Sequence, residues 1–380
     1  MLQRSTSTDT RFHVDRRLLI KSAALAAAFA ADGMTEGALA AESDAAPSAV
    51  RSTRPLTSKT IGLMLGHEQF TGPQLVDIAA AAAAAGFQLL ATSDHFQPWQ
   101  DNEGHSTQAW VTLGALGARS GSAWMGTTVT CPTLRYNPAI VAEAFASLSI
   151  FYPGRIFLGV GSGEALNEEA ATGQWPKWQE RWDRLIEALE IIRTLWSGQA
   201  VKHKGRYYTV EAQLYDPPAK PIPILTAANA KKSMRLAGEH GDGLVTDPET
   251  WKQYKSEWEA GARAAGKNVA DMPVLIEQYA VVGGQDEAQK AAELWRFGPK
   301  AFKGYQDIPN PAEIRKRADS EIPLDKVLSS WAVGEDPEIH IKKIRELFDS
   351  GATIVNIHTG QADQKKLIDF YGAKVLPKFA

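Results

Sequence analysis

A chain of 380 residues has material for one large domain or two ordinary ones, and 44% apolar with 22% charged residues is a soluble globular composition. A formal net charge of −3 with no basic excess gives nucleic acid no footing, and no acidic block suggests a solvating tail. Cys131 is the only cysteine, which excludes a disulfide framework and a cysteine-based metal site, and no metal is expected.

Residues 1–40 differ in kind from the rest. Asp15-Arg16-Arg17-Leu18-Leu19-Ile20-Lys21 is a twin-arginine signature, followed by the weakly apolar run Ser22 to Ala31 and the small-residue site Ala38-Leu39-Ala40. The run is too short to span a bilayer, so a cleaved signal is preferred over an anchor; the bland alternative is a disordered Ala-rich leader. Because the twin-arginine translocon carries folded chains, the expectation is export to the periplasm or cell envelope with a cofactor loaded in the cytoplasm. Residues 41–58, rich in Ser, Pro and Ala, read as a flexible linker, and residues 59–380 as the catalytic domain.

The domain opens with a strand at Thr60 to Leu65, followed by Gly66-His67-Glu68-Gln69-Phe70. A helix from Gln74 to Ala85 ends at Gly86, and an apolar run from Phe87 to Thr92 gives a buried second strand. Asp94, His95 and Trp99 lie just past its end. Helix 106–119 leads to a third strand, Trp124 to Cys131, and helix 138–151 to a fourth, Ile156 to Val160. A long amphipathic helix over 178–196 is followed by a basic, aromatic, hairpin-like insertion around Gly205 to Tyr208. Alternation then resumes with strand 222–227, helix 231–239, strand 243–246, helix 249–265 and strand 274–282. Residues 284–330 hold charged, Pro-interrupted helical pieces, and the chain closes with helix 339–349, strand 353–357 and helix 361–375.

Eight strands alternating with helices over about 320 residues make a single (β/α)8 barrel with insertions the economical fold. A doubly wound sheet would also alternate, but no dinucleotide Gly fingerprint follows the first strand. In a barrel the strand ends share one mouth, which would gather His67, Glu68, Asp94, His95, Trp99, Val129 to Pro132 and the Gly-rich turn from Gly161 to Asn167. A strand-end His suits a general base, and two carboxylates at the same rim can be driven into separate acid and base roles. The bland readings are a surface loop that holds one His, and a tight turn.

Ser93 to Trp99, Arg135-Tyr136-Asn137-Pro138 and Gly159 to Glu168 resemble the F420-dependent glucose-6-phosphate dehydrogenases of the luciferase-like superfamily. The leader, with His67 to Phe70, Gln100 to Ser106 and Val129 to Pro132, is similar to their exported relatives, the F420-dependent hydroxymycolic acid dehydrogenase group. The resemblance covers nearly all of 60–377 and implies a luciferase-like (β/α)8 barrel that binds coenzyme F420. It implies His95 as the base that removes the alcohol proton, Trp99 as the ring that steadies the intermediate, Glu164 as the acid toward the deazaflavin, and Glu68 as an accessory carboxylate. Asp94, Cys131, Ser162, Gly163 and Asn167 would contact the cofactor, with a cis peptide at Thr128-Val129 behind its ring. Asn229, Ala230, Lys232 and Ser233 would grip the phosphate tail, although the usual Gly pair is absent there. The residues that hold the sugar phosphate in those enzymes fall at about Asp247, Thr250 and Ser330, with Lys316 the one cation retained, so glucose 6-phosphate is not expected as substrate.

Three functions are therefore weighed. The first is an exported oxidoreductase moving a hydride between deazaflavin and a secondary alcohol or its ketone, a hydroxymycolic acid or other envelope lipid among the candidates, in an expected homodimer. The second is a flavin-dependent monooxygenase on the same barrel. The third is an exported solute-binding protein without catalysis, against which His95 and Glu164 at one rim both count.

Overall fold

Among the described residues four helices begin with the same pair, an Asn or Asp followed by proline, and the pair explains where each starts. Asn137, Asp247, Asn310 and Asp336 each accept a hydrogen bond from the backbone N–H two residues on, at 2.9–3.0 Å. The intervening proline has no N–H to satisfy and already holds a helical φ.

The computed structural model describes residues 54–296, 302 and 304–380. In chain order its elements are β1 (Thr60–Leu65), α1 (Gly72–Ala85), β2 (Leu89–Thr92), α2 (Ala109–Gly117), β3 (Trp124–Thr127), α3 (Pro138–Phe151), β4 (Ile156–Val160), α4 (Ala165–Thr172) and α5 (Trp178–Trp196). An antiparallel hairpin of β5 (Val201–Lys204) and β6 (Thr209–Ala212) follows, then β7 (Ile224–Ala227), α6 (Lys231–His240), β8 (Gly243–Thr246), α7 (Pro248–Ala264) and β9 (Val274–Val281). The remainder is α8 (Gln285–Leu294), α9 (Pro311–Glu321), α10 (Leu324–Leu328), the two-residue β10 (Ala332–Val333), α11 (Pro337–Asp349), β11 (Ile354–His358) and α12 (Gln364–Phe370).

Eight parallel strands close into a barrel among the described residues. Neighbours run β9, β11, β1, β2, β3, β4, β7 and β8, and β8 pairs back onto β9. Because every pair is parallel, the carboxyl ends of all eight strands meet at one rim. Alternation along β1 shows how the two layers divide: Ile61, Leu63 and Leu65 pack in the layer against the helices, while Met64 joins Leu89, Ala91, Phe157, Leu225, Val245, Leu275 and Ile354 in a separate inner cluster. A third apolar cluster, built on Leu166, Trp295, Tyr305, Ile314, Ile322 and Trp331, draws mostly on the insertion after β9.

The strands begin and end somewhat differently from the sequence expectation. Pairing on β3 stops at Thr127, four residues early, where the cis peptide Thr128–Val129 follows, and returns only as a bridge between Thr130 and Val160. Strand β2 starts at Leu89, not Phe87. Helix α2 spans 109–117, not 106–119, because the side chains of the preceding residues are used as ties. Ser106 Oγ donates to the His95 carbonyl, Thr107 Oγ1 accepts from Gly72 N–H, and Gln108 caps the helix by accepting from Val111 N–H. The last helix ends at Phe370 and widens into a π turn over Tyr371–Val375 that buries Tyr371. The leader over 1–40, and the linker as far as residue 53, lie outside the described residues. No helix among the described residues is long and apolar enough to cross a membrane.

Candidate active site

At the carboxyl rim a cavity of about 700 Å³ is lined from all round the barrel. The loops after β1 and β2 supply Glu68, Ser93, His95 and Trp99, the β3 and β4 ends supply Thr128, Val129 and Gly161 to Glu164, and β9 and β11 supply Glu277, Tyr279 and His358.

His95 is held from several directions. Its Nδ1 lies 3.2 Å from the Gln97 carbonyl and 3.7 Å from Glu68 Oε1, its ring sits 5.1 Å from the Trp99 ring, and its carbonyl accepts from Ser106. Glu68 is fixed in turn, because Ser93 Oγ donates to its other oxygen at 2.8 Å and accepts from His67 N–H at 3.1 Å. A neutral imidazole so placed can take a proton from a ligand, and the adjacent carboxylate stabilises the imidazolium that results. The neighbouring Glu103 is buried, and desolvation first, then the charge of Glu68, holds its carboxyl well above the usual range.

On the loop after β4, Glu164 occupies the position before α4 without capping it, which leaves its carboxylate to the cavity. Asn167 ties this loop to the one after β2. Its Oδ1 accepts from the N–H of Phe96 and Gln97, at 2.7 and 3.4 Å, and its Nδ2 donates to Glu164 Oε2 at 3.3 Å. The turn between β4 and α4 lies tight against β3. A Cβ on Gly161 would come within 2.7 Å of Val129, and Gly163, at φ 84°, leaves no room before Cys131 Sγ and Glu168.

Beneath the rim runs a buried charge network. Asp94 accepts from Thr130 Oγ1 at 2.6 Å, Tyr136 OH at 3.2 Å and Arg135 Nη2 at 3.3 Å, while Arg135 N–H donates to Glu168 Oε2 at 2.7 Å. Burial outweighs the Arg135 charge and pushes Glu168 up to about 7. Burial likewise raises the Cys131 thiol. This network fixes the loops that carry His95 and Glu164 and does not itself line the cavity.

The remaining expected residues divide. Thr128, Val129, Ser162, Gly163, Asn229 and Ser233 line the cavity; Asp94, Cys131 and Asn167 lie just behind it. Ala230 and Lys232 stand at the start of α6, where no side chain caps the first amides; Ser233 Oγ accepts from Asn229 and Ala230 N–H, and Lys232 reaches Gln179 at 2.6 Å over the Trp178 ring. Lys316 is not brought in. It sits on the exposed face of α9, away from the cavity-lining residues, which instead include Lys252, Lys326 and Lys343.

Sequence reasoning missed the far wall altogether. Glu277 Oε1 lies 2.5 Å from His358 Nδ1; the His358 ring stacks on Tyr279 at 4.4 Å and meets Trp295 edge-on at 4.0 Å, and Tyr279 stacks on Trp331 at 4.7 Å. Burial, and then the charges of Glu277, Glu103 and Glu68, hold the Tyr279 hydroxyl neutral far above its usual range. The available signal was a Glu inside the strand 274–281 and a His closing 354–358. Among the described residues no cluster of three or more His, Cys, Asp or Glu is arranged to hold a metal ion.

Comparison with known proteins places this geometry. The family model described as luciferase-like monooxygenase matches residues 56–353. An F420-dependent hydroxymycolic acid dehydrogenase from Mycobacterium tuberculosis is 48% identical over 324 residues, covering 84% of this chain and 88% of the relative. An F420-dependent glucose-6-phosphate dehydrogenase from Nakamurella multipartita is 37% identical, covering 83% and 95%. Among solved structures, an F420-dependent secondary alcohol dehydrogenase in complex with an F420-acetone adduct superposes with a TM-score of 0.81 at 32% identity, over 85% of this chain and 99% of that one.

Proposed function

The chain belongs to the luciferase-like monooxygenase family, and we propose that within it this protein is an F420-dependent alcohol dehydrogenase that converts a secondary alcohol to its ketone. The observation that carries the reading is the pair on one cavity, His95 held by Glu68 after β2 and β1, and Glu164 after β4 with its carboxylate left free of capping, beside the turn that begins at Gly161. The 48% identity to a hydroxymycolic acid dehydrogenase makes a hydroxylated envelope lipid the first substrate to try.

The donor set suits the cofactor. Thr128, Val129, Gly161, Ser162 and Gly163 would lie against its ring system, and the uncapped amides of α6 with Ser233 and Lys232 would take its phosphate, as helix N-termini do for anions. When bound, the deazaflavin supplies the hydride acceptor for oxidation and the donor for reduction. His95 takes the hydroxyl proton as the carbinol carbon is oxidised, since otherwise a high-energy protonated carbonyl would form, and Glu68 stabilises the imidazolium. Glu164 provides a carboxyl proton from the loop after β4. Trp99 packs on the His95 ring and, with Tyr305 at 5.4 Å, excludes water from this end.

A panel of alcohols and ketones monitored by deazaflavin absorbance tests the activity, and titration with F420 against flavin mononucleotide tests the cofactor. Turnover only with reduced flavin and oxygen would make the chain a monooxygenase instead. Export is the remaining part of the proposal, supported by Arg16-Arg17 ahead of a short apolar run. Replacing both arginines by lysine should strand the protein in the cytoplasm; recovery of that variant from the periplasm or envelope counts against it.

A further inference from the structure

The His358–Glu277 couple has no task in the chemistry above, yet it is built as catalytic groups are built. His358 is 2% exposed, its Nδ1 is spoken for by Glu277, and its ring is clamped by Tyr279 and Trp295. Its Nε2 is buried, lies on the cavity wall and has no hydrogen-bond partner among the described residues. A buried imidazole nitrogen left unpaired is costly unless something comes to it.

Gly66 shows what is near. The position a Cβ would take on Gly66 lies 3.7 Å from His358 Nε2 and 3.6 Å from Glu68 Oε2, so both atoms face one small space. Glu68 is the carboxylate whose other oxygen faces His95 at 3.7 Å. One water in that space, a role for which a roomy polar site with two or more partners is suited, would link the two histidines through Glu68.

We propose that Glu68, a bridging water, His358 and Glu277 form a proton relay that clears His95 after each alcohol oxidation. The substrate O–H bond breaks as an N–H bond forms on His95, and that proton passes to Glu68. Glu68 releases a proton to the water, the water gives one to His358 Nε2, and His358 gives its Nδ1 proton to the Glu277 carboxylate, whose side chain is 24% exposed. One proton moves from substrate to Glu277 and no electrons travel with it. The charged or titratable groups that face His358 are Glu277 and Tyr279 from the strand beside it and Glu68 from the loop after β1, with Glu103 behind. The catalytic part of the proposal rests on the dehydrogenase reading; the coupling of His358 to Glu68 does not.

Two experiments separate these. In holoprotein carrying ¹⁵N-histidine, the His358 ring nitrogen resonances, assigned by their loss in His358→Gln, should shift in both Glu68→Gln and Gly66→Ala, because either change disturbs the water that joins Nε2 to Glu68. Unchanged His358 resonances in both variants overturn the relay whatever the substrate proves to be. With the best alcohol, Gly66→Ala places a methyl in the shared space at ordinary contact distances of 3.4–3.7 Å, and its backbone is not in the left-handed region. Gly66→Ala and His358→Gln should each lower steady-state kcat about 10-fold, leave KM and the first-turnover hydride step within about twofold, and recover rate with added imidazole. Wild-type kcat in both variants, or an equal loss in the first turnover with no imidazole rescue, overturns it. Shifted His358 resonances in a protein that oxidises no alcohol would retain the coupling and remove the dehydrogenase reading.

Discussion

The two walls of the cavity carry the same chemistry in different ways. The near wall places His95 beside Glu68 on loops that leave β1 and β2, held by Ser93, Ser106 and Asn167 through side-chain hydrogen bonds to backbone and carboxylate. The far wall places His358 beside Glu277 within neighbouring strands, β11 and β9, and clamps them with stacked rings. A loop-borne base can adjust to a ligand, whereas a strand-borne couple keeps a fixed position. The contrast suits a base that must meet the substrate on one side and groups that only pass protons on the other.

The largest expected effect lies on the near wall and opposite it. His95→Ala and Glu164→Gln should each lower kcat by about 10² to 10⁴-fold while F420 affinity changes little, since neither stands at the start of α6. Steady-state kinetics beside a cofactor titration decides it. Wild-type kcat in both would move the acid and base elsewhere, with Glu68 and His67 the next residues to replace.

The second effect asks whether the support of the near wall is electrostatic. Glu168 has its pKa raised from 4.5 to about 7 by burial, against the pull of Arg135. The folded state therefore binds this proton more tightly than the unfolded chain. Its contribution to stability is fully present below about pH 4.5 and is lost as pH rises to about 7. Glu168→Gln removes that dependence, so between pH 5 and pH 8 the variant should gain about 2.5 kcal/mol on the wild type. Paired denaturant titrations at the two pH values measure the difference directly, and parallel pH profiles would mean that Arg135 keeps the carboxylate ionised.

Smaller again is the backbone effect at the turn between the walls. Gly163 has φ 84°, and an added Cβ would approach Cys131 Sγ and Glu168 Cγ to 2.8 Å. Gly163→Ala should cost about 1 to 3 kcal/mol and misplace Glu164. Gly66→Ala, whose methyl would meet its neighbours at ordinary contact distances of 3.4–3.7 Å with no left-handed φ, should leave the melting temperature nearly unchanged, and thermal denaturation of the two variants side by side tests the contrast.

The near wall was legible in the sequence because its chemistry is local. Asp94, His95 and Trp99 fall within six residues after one apolar strand, and Glu164 follows a Gly-rich turn after another, so strand order alone brings them to one rim. The eight-strand alternation was legible for the same reason, since period and turn residues are local signals. The far wall was not. Glu277 and His358 are 81 residues apart and meet only because β9 pairs with β11, with Ile357 opposite Gln278 and His358 opposite Tyr279. The end of β3 also escaped prediction, because an apolar run through Cys131 reads as strand while the backbone turns at Thr128–Val129. Arg135 and Glu168 were visible as motif residues, but their mutual burial with Asp94 belongs to the folded molecule.

Lys316 supplies the smallest effect and the sharpest contrast between alignment and geometry. By resemblance to the sugar-phosphate enzymes it is the one cation retained for a substrate phosphate. In the structure it lies on the exposed face of α9, while Asp247, a cavity residue, accepts from Glu249 and Thr250 N–H as the cap of α7. A charge-assisted bond to phosphate contributes about 1.5 to 3 kcal/mol, or roughly 10- to 100-fold in affinity. Lys316→Ala should therefore shift KM for the best alcohol by less than about twofold, the scale of an ordinary surface substitution. Glucose 6-phosphate should remain a poor substrate for both proteins. If it is turned over as fast as that alcohol, Lys252, Lys326 and Lys343 on the cavity wall are the cations that hold its phosphate. Replacing each by methionine in turn would then show which of them raises KM for the sugar phosphate without altering KM for the neutral alcohol.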